Sequence, residues 1–285
     1  MNQKQYFHPI CLILLCSTSF IVNSQQEKIE RSNERIVGGD EADEGEWSWQ
    51  VLIIFDEYTI CGGSIINKRW ILTAAHCFFL KFEDNDDLVD KSNEPSRWFV
   101  SVGDHDLSED TPNDEIIGVE QIVIHPDYDQ STYAGDVALI KLDKDLKYNL
   151  FVSKICLPQS AEQVPPAGTK CYATGWGTTL SGDISFTLKE VELSIFSYDE
   201  CTSTDAYPES SIKNDMFCAG NQAANNDTCQ GDSGGPLVCY DGVKKYWTQY
   251  GITSWGRGCG VEQFPGVYVR VNFYDEWITE KSSSI

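Results

Sequence analysis

The chain has 285 residues, 41% hydrophobic and 12% aromatic, enough to bury one large core or two smaller ones. This composition excludes a disordered chain, and 22 Gly without a period exclude a collagen-like one. With 21 Lys and Arg against 44 Asp and Glu, the net charge is -23; such a surface repels phosphate backbones and anionic membranes, and draws basic partners or substrates.

Lys4 precedes an apolar stretch over residues 10–22, followed by Asn23-Ser24. The stretch is too short to span a bilayer comfortably, and Val22 and Ser24 are small enough for the positions a signal peptidase reads. Residues 1–24 are therefore expected to be a signal peptide that directs the chain to an oxidising, extracellular compartment. The chain has 11 cysteines, and loss of Cys11 and Cys16 with the signal leaves an odd number. Residues 25–35 are polar, without core residues, and read as a propeptide.

From Ile36 the texture changes. Short runs rich in Val, Ile, Tyr, Trp and Phe alternate with Gly, Asp, Asn and Pro, as at residues 49–55, 69–75, 136–142, 235–240 and 266–271. This predicts an all-β sandwich or barrel. Residues 82–95 carry six acidic side chains and one Lys, and read as an exposed acidic loop. Residues 160–169, rich in Pro and Gly, read as a linker between two halves. At the C-terminus one helix is expected, capped by Asn272, with Asp275 in its first turn and Trp277 and Ile278 on its apolar face.

Three residues carry candidate chemistry. His76 ends an apolar strand in Leu72-Thr-Ala-Ala-His-Cys77, where a lone His is usually a packed or capping residue. Asp136 opens the apolar run Gly135-Asp-Val-Ala-Leu-Ile140, and a buried carboxylate there needs a partner. Ser233 lies in Gly231-Asp-Ser-Gly-Gly-Pro236, where glycines permit strained dihedrals and leave N–H groups to bind an oxyanion. Together they make a base, an orienting carboxylate and a nucleophile. The loose G-x-S-x-G pattern also fits α/β-hydrolases, but in those the His follows the Ser, and here the last of four histidines is His125.

Taken jointly with Ile36-Val-Gly-Gly39, Thr174-Gly-Trp-Gly177, Ser254-Trp-Gly256 and Pro265-Gly-Val-Tyr268, these motifs make the chain resemble a chymotrypsin-family serine protease of trypsin-like type, from Ile36 to about Lys281. The resemblance implies two antiparallel six-stranded β-barrels with the active site between them and a C-terminal helix. It implies a peptidase domain over 36–285, its N-terminal barrel over about 36–159 and its C-terminal barrel over about 170–285. His76, Asp136 and Ser233 then form the triad, with the N–H groups of Gly231 and Ser233 as oxyanion hole. Asp227 forms the floor of a pocket for Arg or Lys, with Thr228 beside it and Ser254, Trp255, Gly256 and Gly266 on its walls. Cleavage between Arg35 and Ile36 frees an α-amino group to pair with Asp232. Disulfides are implied between Cys61 and Cys77, Cys171 and Cys239, Cys201 and Cys218, and Cys229 and Cys259. Cys156 is left as a free or intermolecular thiol, since residues 25–35 hold no cysteine to match it.

No cofactor is required by the resemblance. The segment from Gly103 to Glu115 nevertheless resembles the calcium loop of trypsins, with Asp104 and Asp114 where the family has two Glu, and with the carbonyls of Asp106 and Glu109 as further ligands. Asn226-Asp227-Thr228 is formally a glycosylation sequon; it overlaps the pocket and is expected to be unoccupied. The implied partners are proteins or peptides containing Arg or Lys, and protein protease inhibitors; neither nucleic acid nor membrane is expected, and the chain is expected to be a monomer. The rival to a digestive or effector endopeptidase is a non-cleaving homologue that only binds.

Overall fold

The computed structural model describes residues 39–82, 85–159, 162–177, 185–203, 206–221, 232–242, 244–257 and 264–283. These residues include fifteen strands, two short α-helices and brief 3-10 turns, joined by irregular loops. A two-residue strand β1 (Asp40–Glu41) precedes β2 (Gln50–Phe55), β3 (Tyr58–Ile65) and β4 (Trp70–Thr73). A small hairpin of β5 (Phe79–Phe82) and β6 (Asn85–Asp90) follows, then β7 (Trp98–Val102), β8 (Glu115–Ile124) and β9 (Ala138–Leu142). The second half contains β10 (Lys170–Gly175), β11 (Lys189–Ile195), α1 (Tyr198–Cys201), β12 (Met216–Gly220), β13 (Pro236–Asp241), β14 (Tyr246–Trp255), β15 (Gly266–Arg270) and α2 (Asp275–Ser282).

The expected architecture is present. Strands β2, β3, β4, β9, β8 and β7 close one antiparallel barrel. Strands β11, β10, β13, β14, β15 and β12 close the second, because β11 pairs with β12, and β1 is added outside β11. Thus β1 belongs to the second barrel although it precedes the first in sequence. Closure removes the unpaired strand edges that an open sheet would expose. Barrel strand β11 alternates buried and half-exposed residues with period two, whereas β4 is buried throughout. Val51, Ile53, Ile71, Leu72, Val100 and Ile140 fill the first barrel; Leu193, Phe217, Leu237 and Tyr268 fill the second. Each such side chain contributes about 1.5–3 kcal/mol on burial.

The barrels meet along a polar seam in which buried side chains are paired across the halves. Ser64 Oγ donates to Gln249 Oε1 at 2.6 Å, and Thr174 Oγ1 donates to Gln50 Oε1 at 2.7 Å. At one end, Trp47 packs on Trp247 (ring centroids 5.0 Å apart) and on Tyr172 (5.6 Å).

Three expectations change. Residues 82–95 are not a loop without strand character: 85–90 pair with 79–82 as a hairpin. The apolar run beginning at Phe79 supplies a partner strand, and basic groups offset the acidic charge, with Lys91 and Arg97 both bonded to Glu94 and Arg97 also to Asp56. At the C-terminus, Val271–Tyr274 forms a 3-10 turn, so Tyr274 and not Asn272 occupies the N-cap of α2. Asn272 Nδ2 instead donates to the Glu162 carbonyl at 2.8 Å. Cys156 is disulfide-bonded rather than free, to a cysteine outside the described residues.

Candidate active site

His76 sits in a one-turn 3-10 helix, Ala75–Phe78, immediately after β4. The turn is anchored on both sides of the imidazole. Thr73 Oγ1 donates to the Gly62 carbonyl of β3 at 2.8 Å, and Cys77 is disulfide-bonded to Cys61 of the same strand. Cys61, His76 and Cys77 lie close together, but both sulfurs are consumed in the disulfide, so they do not form a metal site.

Asp136 reaches this turn from the start of the segment leading into β9. Its carboxylate is 0% exposed and accepts three hydrogen bonds. Oδ1 takes the His76 backbone N–H at 2.8 Å; Oδ2 lies 2.8 Å from His76 Nδ1 and also accepts from Ser254 Oγ. An ionised carboxylate offers only acceptors, so Nδ1 carries the hydrogen and Nε2 is left as the base. Burial disfavours the imidazolium, but the charge of Asp136 and its hydrogen bond outweigh burial, so the His76 pKa is raised above the ordinary value.

Ser233 is carried to the same place by the second barrel. Its carbonyl accepts the Gly62 N–H at 2.8 Å. The next residue, Gly234, has φ +77° and lies so close to Thr73 Oγ1, the Gly62 carbonyl and Cys77 Sγ that a Cβ would sit 2.2, 2.7 and 3.0 Å from them. Any side chain there would drive the serine turn off the platform that bears His76. The turn is closed by Gly235 N–H on the Asp232 carbonyl and by Gly234 N–H on the Thr253 carbonyl.

Asp232 is buried, its Oδ1 accepting the Gly177 N–H at 3.0 Å. A Cβ on Gly175 or Gly177 would lie 2.2 or 2.6 Å from this carboxylate, which is why the Thr174-Gly-Trp-Gly177 stretch has glycine at both positions. Gly231, Asp227, Thr228, Cys229, Cys259, Asn226, Arg35 and Ile36 lie outside the described residues. Cys171 is bonded to Cys239, and Cys201 to Cys218.

Trp255 and Ser254 end β14, Gly256 follows them, and buried Gly266 opens β15 beside them. Sequence reading missed the aromatic wall that continues this surface. Tyr133 stands edge-on to His76 at 5.9 Å and 6.4 Å from Trp255. Tyr207 packs on Trp255 at 5.0 Å and on Phe264 at 5.4 Å, its hydroxyl donating to the Pro265 carbonyl. The position of Tyr133, three residues before Asp136, was the available signal; nothing local marked Tyr207.

Asp104 and Asp114 are brought together. Asp104 accepts from Ser101, and Asp114 accepts from the N–H of Thr111 at 2.5 Å and its hydroxyl at 2.7 Å. Burial raises the Asp104 pKa and the charges of Asp114 and Asp110 raise it further, against the Ser101 hydrogen bond. Asp104 and Asp114 thus supply two carboxylates to one half-buried loop, while Asp110 is exposed and acts on Asp104 through its charge.

Residues 36–278 match the model of the family described as Trypsin. Over 252 residues the chain is 36% identical to an ovochymase from Halocynthia roretzi; the match covers 87% of this chain and 15% of that relative. The chain therefore spans less than two thirds of the length of that protein.

Proposed function

Since the chain belongs to the trypsin family of serine peptidases, we propose that it is a secreted endopeptidase, made as an inactive precursor, that cleaves peptide bonds after Arg or Lys. The observation that carries this reading is the hydrogen-bonded pair of His76 and Asp136 on the platform against which the Ser233 turn packs. Among the described residues no helix is long and apolar enough to cross a membrane.

In this reading, His76 Nε2 takes the proton of Ser233 Oγ as the oxygen attacks the substrate carbonyl. The imidazolium that forms is stabilised by Asp136 and returns the proton to the leaving amine. Water then repeats the sequence on the acyl-enzyme. The N–H groups of Gly231 and Ser233 hold the oxyanion, and one such donor is worth about 2.7–4 kcal/mol in a related site. The substrate lies along Trp255 and Tyr133, with its basic side chain directed at Asp227. From Ile36 onward the chain has 17 basic and 41 acidic residues, a surface that favours approach of cationic substrates.

Cleavage after Arg35 would free the Ile36 amino group to pair with Asp232 and order the serine turn. A buried ion pair loses about 3–5 kcal/mol when one partner is missing, enough to switch a loop between two arrangements. A fluorophosphonate probe is therefore expected to label Ser233 in the processed chain but not in an Arg35→Gln precursor. Equal labelling of both forms overturns the precursor reading. No labelling of either, with cleavage absent, supports the non-cleaving alternative.

We also propose that calcium occupies the Asp104 and Asp114 loop and acts structurally. A ligand that binds only the folded state at a hundredfold excess over Kd adds about 2.7 kcal/mol. Melting of the inhibited enzyme is expected to shift upward in calcium over EGTA, with no shift in magnesium, which prefers a smaller octahedral site. The shift should vanish in Asp104→Ala; equal melting temperatures in all three buffers remove calcium from the account.

A further inference from the structure

Three aspartates are buried among the described residues: Asp136, Asp232 and Asp215. The first two have roles in the reading above; Asp215 does not. It immediately precedes β12, in the second barrel, yet its side chain crosses the seam. Its Oδ2 accepts the backbone N–H of Gly135 at 2.8 Å, and Gly135 is the residue before Asp136. The same oxygen accepts from the Tyr274 hydroxyl at 2.5 Å. Burial, and then the hydrogen bond and charge of Asp215, hold the Tyr274 pKa far above the ordinary phenol value, so Tyr274 remains a donor. Arg270 is tied to the same corner, its N–H donating to the Asp215 carbonyl and its Nε to the Met216 carbonyl, each at 2.7 Å.

The backbone held by this carboxylate is unusual. Gly135 has φ +69°, and a Cβ there would lie 2.7 Å from the Asp127 carbonyl oxygen. Two residues earlier, Tyr133 has φ +57°, a region that costs a residue with a side chain conformational energy. Such a path persists only where its surroundings hold it. Within the loop, Tyr133 N–H bonds the Asp129 carbonyl at 2.7 Å and Val137 N–H bonds the Gly135 carbonyl at 2.7 Å. From outside the loop the Gly135 N–H is held by Asp215, with the Tyr274 hydroxyl on the same carboxylate oxygen. Rotation of that peptide would carry Asp136 away from the two donors of His76 that it now meets at 2.8 Å.

We propose that Asp215 is a positioning residue for the catalytic site: from the second barrel it clamps the Gly135 N–H and so sets the Asp136 carboxylate against His76. The proposal rests on the peptidase reading above for its consequence, but its geometry can be tested without turnover.

The experiment compares processed wild-type enzyme with Asp215→Ala, Asp215→Asn and Asp215→Leu. Steady-state constants are counted per active site, and the titration of His76 is followed by proton NMR in the unliganded enzyme. Asp215→Ala is expected to lower kcat about 10- to 100-fold, the scale of a small misplacement of a catalytic group. KM should stay within about twofold, since the clamp touches no substrate. His76 should titrate at lower pH than in wild type, because burial persists while its carboxylate partner is displaced. Asp215→Asn keeps an acceptor for the Gly135 N–H and should recover most of kcat and the wild-type titration. Asp215→Leu keeps the volume without the acceptor and should behave as Asp215→Ala, which preserves the test if the smaller side chain prevents folding. Unchanged kcat and His76 titration in folded Asp215→Ala or Asp215→Leu overturn the proposal. So does an equal loss in the Asn and Leu variants with His76 titrating as in wild type, which marks a role in stability alone. If wild type cleaves nothing, the peptidase reading falls, while the NMR comparison still decides the clamp.

Discussion

Asp136→Asn is expected to lower kcat by about 10⁴-fold, the loss seen for the corresponding change in a characterised serine peptidase, and to move the acid limb of the kcat/KM profile to lower pH. All three donors to Asp136 point at acceptor oxygens: the His76 N–H, His76 Nδ1–H and Ser254 Oγ. An amide must turn its NH₂ toward one of them. If it faces Nδ1 it donates there, the hydrogen moves to Nε2, and the base that the proposed mechanism requires for Ser233 is lost. The direction of the pH effect follows from the opposing causes on His76. Burial alone would place its pKa below the ordinary value; the charge and hydrogen bond of Asp136 carry it above. The base works only when neutral, so wild-type activity rises as pH climbs through the raised pKa. In the variant burial acts alone, and the residual activity reaches its plateau at lower pH. The same pair stabilises the folded chain fully below the ordinary imidazole pKa of about 6.5, and that stability is lost as pH rises through the raised value. The pH dependence of kcat/KM in both enzymes is the check. An acid limb that stays in place, or moves upward, would show that Asp136 does not govern His76.

Asp227→Ser is expected to cut kcat/KM for Arg and Lys substrates by more than a hundredfold. A substrate cation in a desolvated pocket without its partner loses about 3–5 kcal/mol. Beside the proposed pocket, Trp255 ends β14, Gly256 follows it and buried Gly266 opens β15, so glycine backbone would flank the path of a long side chain. A bidentate guanidinium pair loses more than a single ammonium contact, so the loss for Arg should exceed that for Lys. Substrates with an uncharged side chain at the cleaved bond should lose little. Parallel measurements on matched Arg, Lys and uncharged peptides decide it; equal losses on all three would mean that the triad, not specificity, had been damaged.

Much of the fold was legible locally. Runs such as QVLIIF and GVYVRV, with turn residues between them, announce strands because branched and aromatic side chains suit a pleated, half-buried surface. Charge density misled at residues 85–90. Leu88 and Val89 sit among acidic neighbours, yet the preceding Phe79-Leu80 run pairs with Asp90 and Val89. Asn272 looked like a helix cap because Asn commonly is one. The chain takes a 3-10 turn first, and its side chain serves the Glu162 carbonyl instead.

The chemistry of the site, as a set of residue types, is written in the sequence: four histidines, one of them in Thr73-Ala-Ala-His-Cys77, and a glycine-flanked serine. So is the β class, and so is the acidic surface. What only the tertiary structure decided is which buried polar group meets which. Ser254 reaches Asp136 across 118 residues, Asp215 reaches Gly135 across 80, and β1 joins the barrel to which its neighbours in sequence do not belong. The reason is physical. A buried carboxylate must find donors, but its residue type does not say which ones. Closing two barrels against each other brings donors from distant strands to one seam, and the choice among them is a property of that packing.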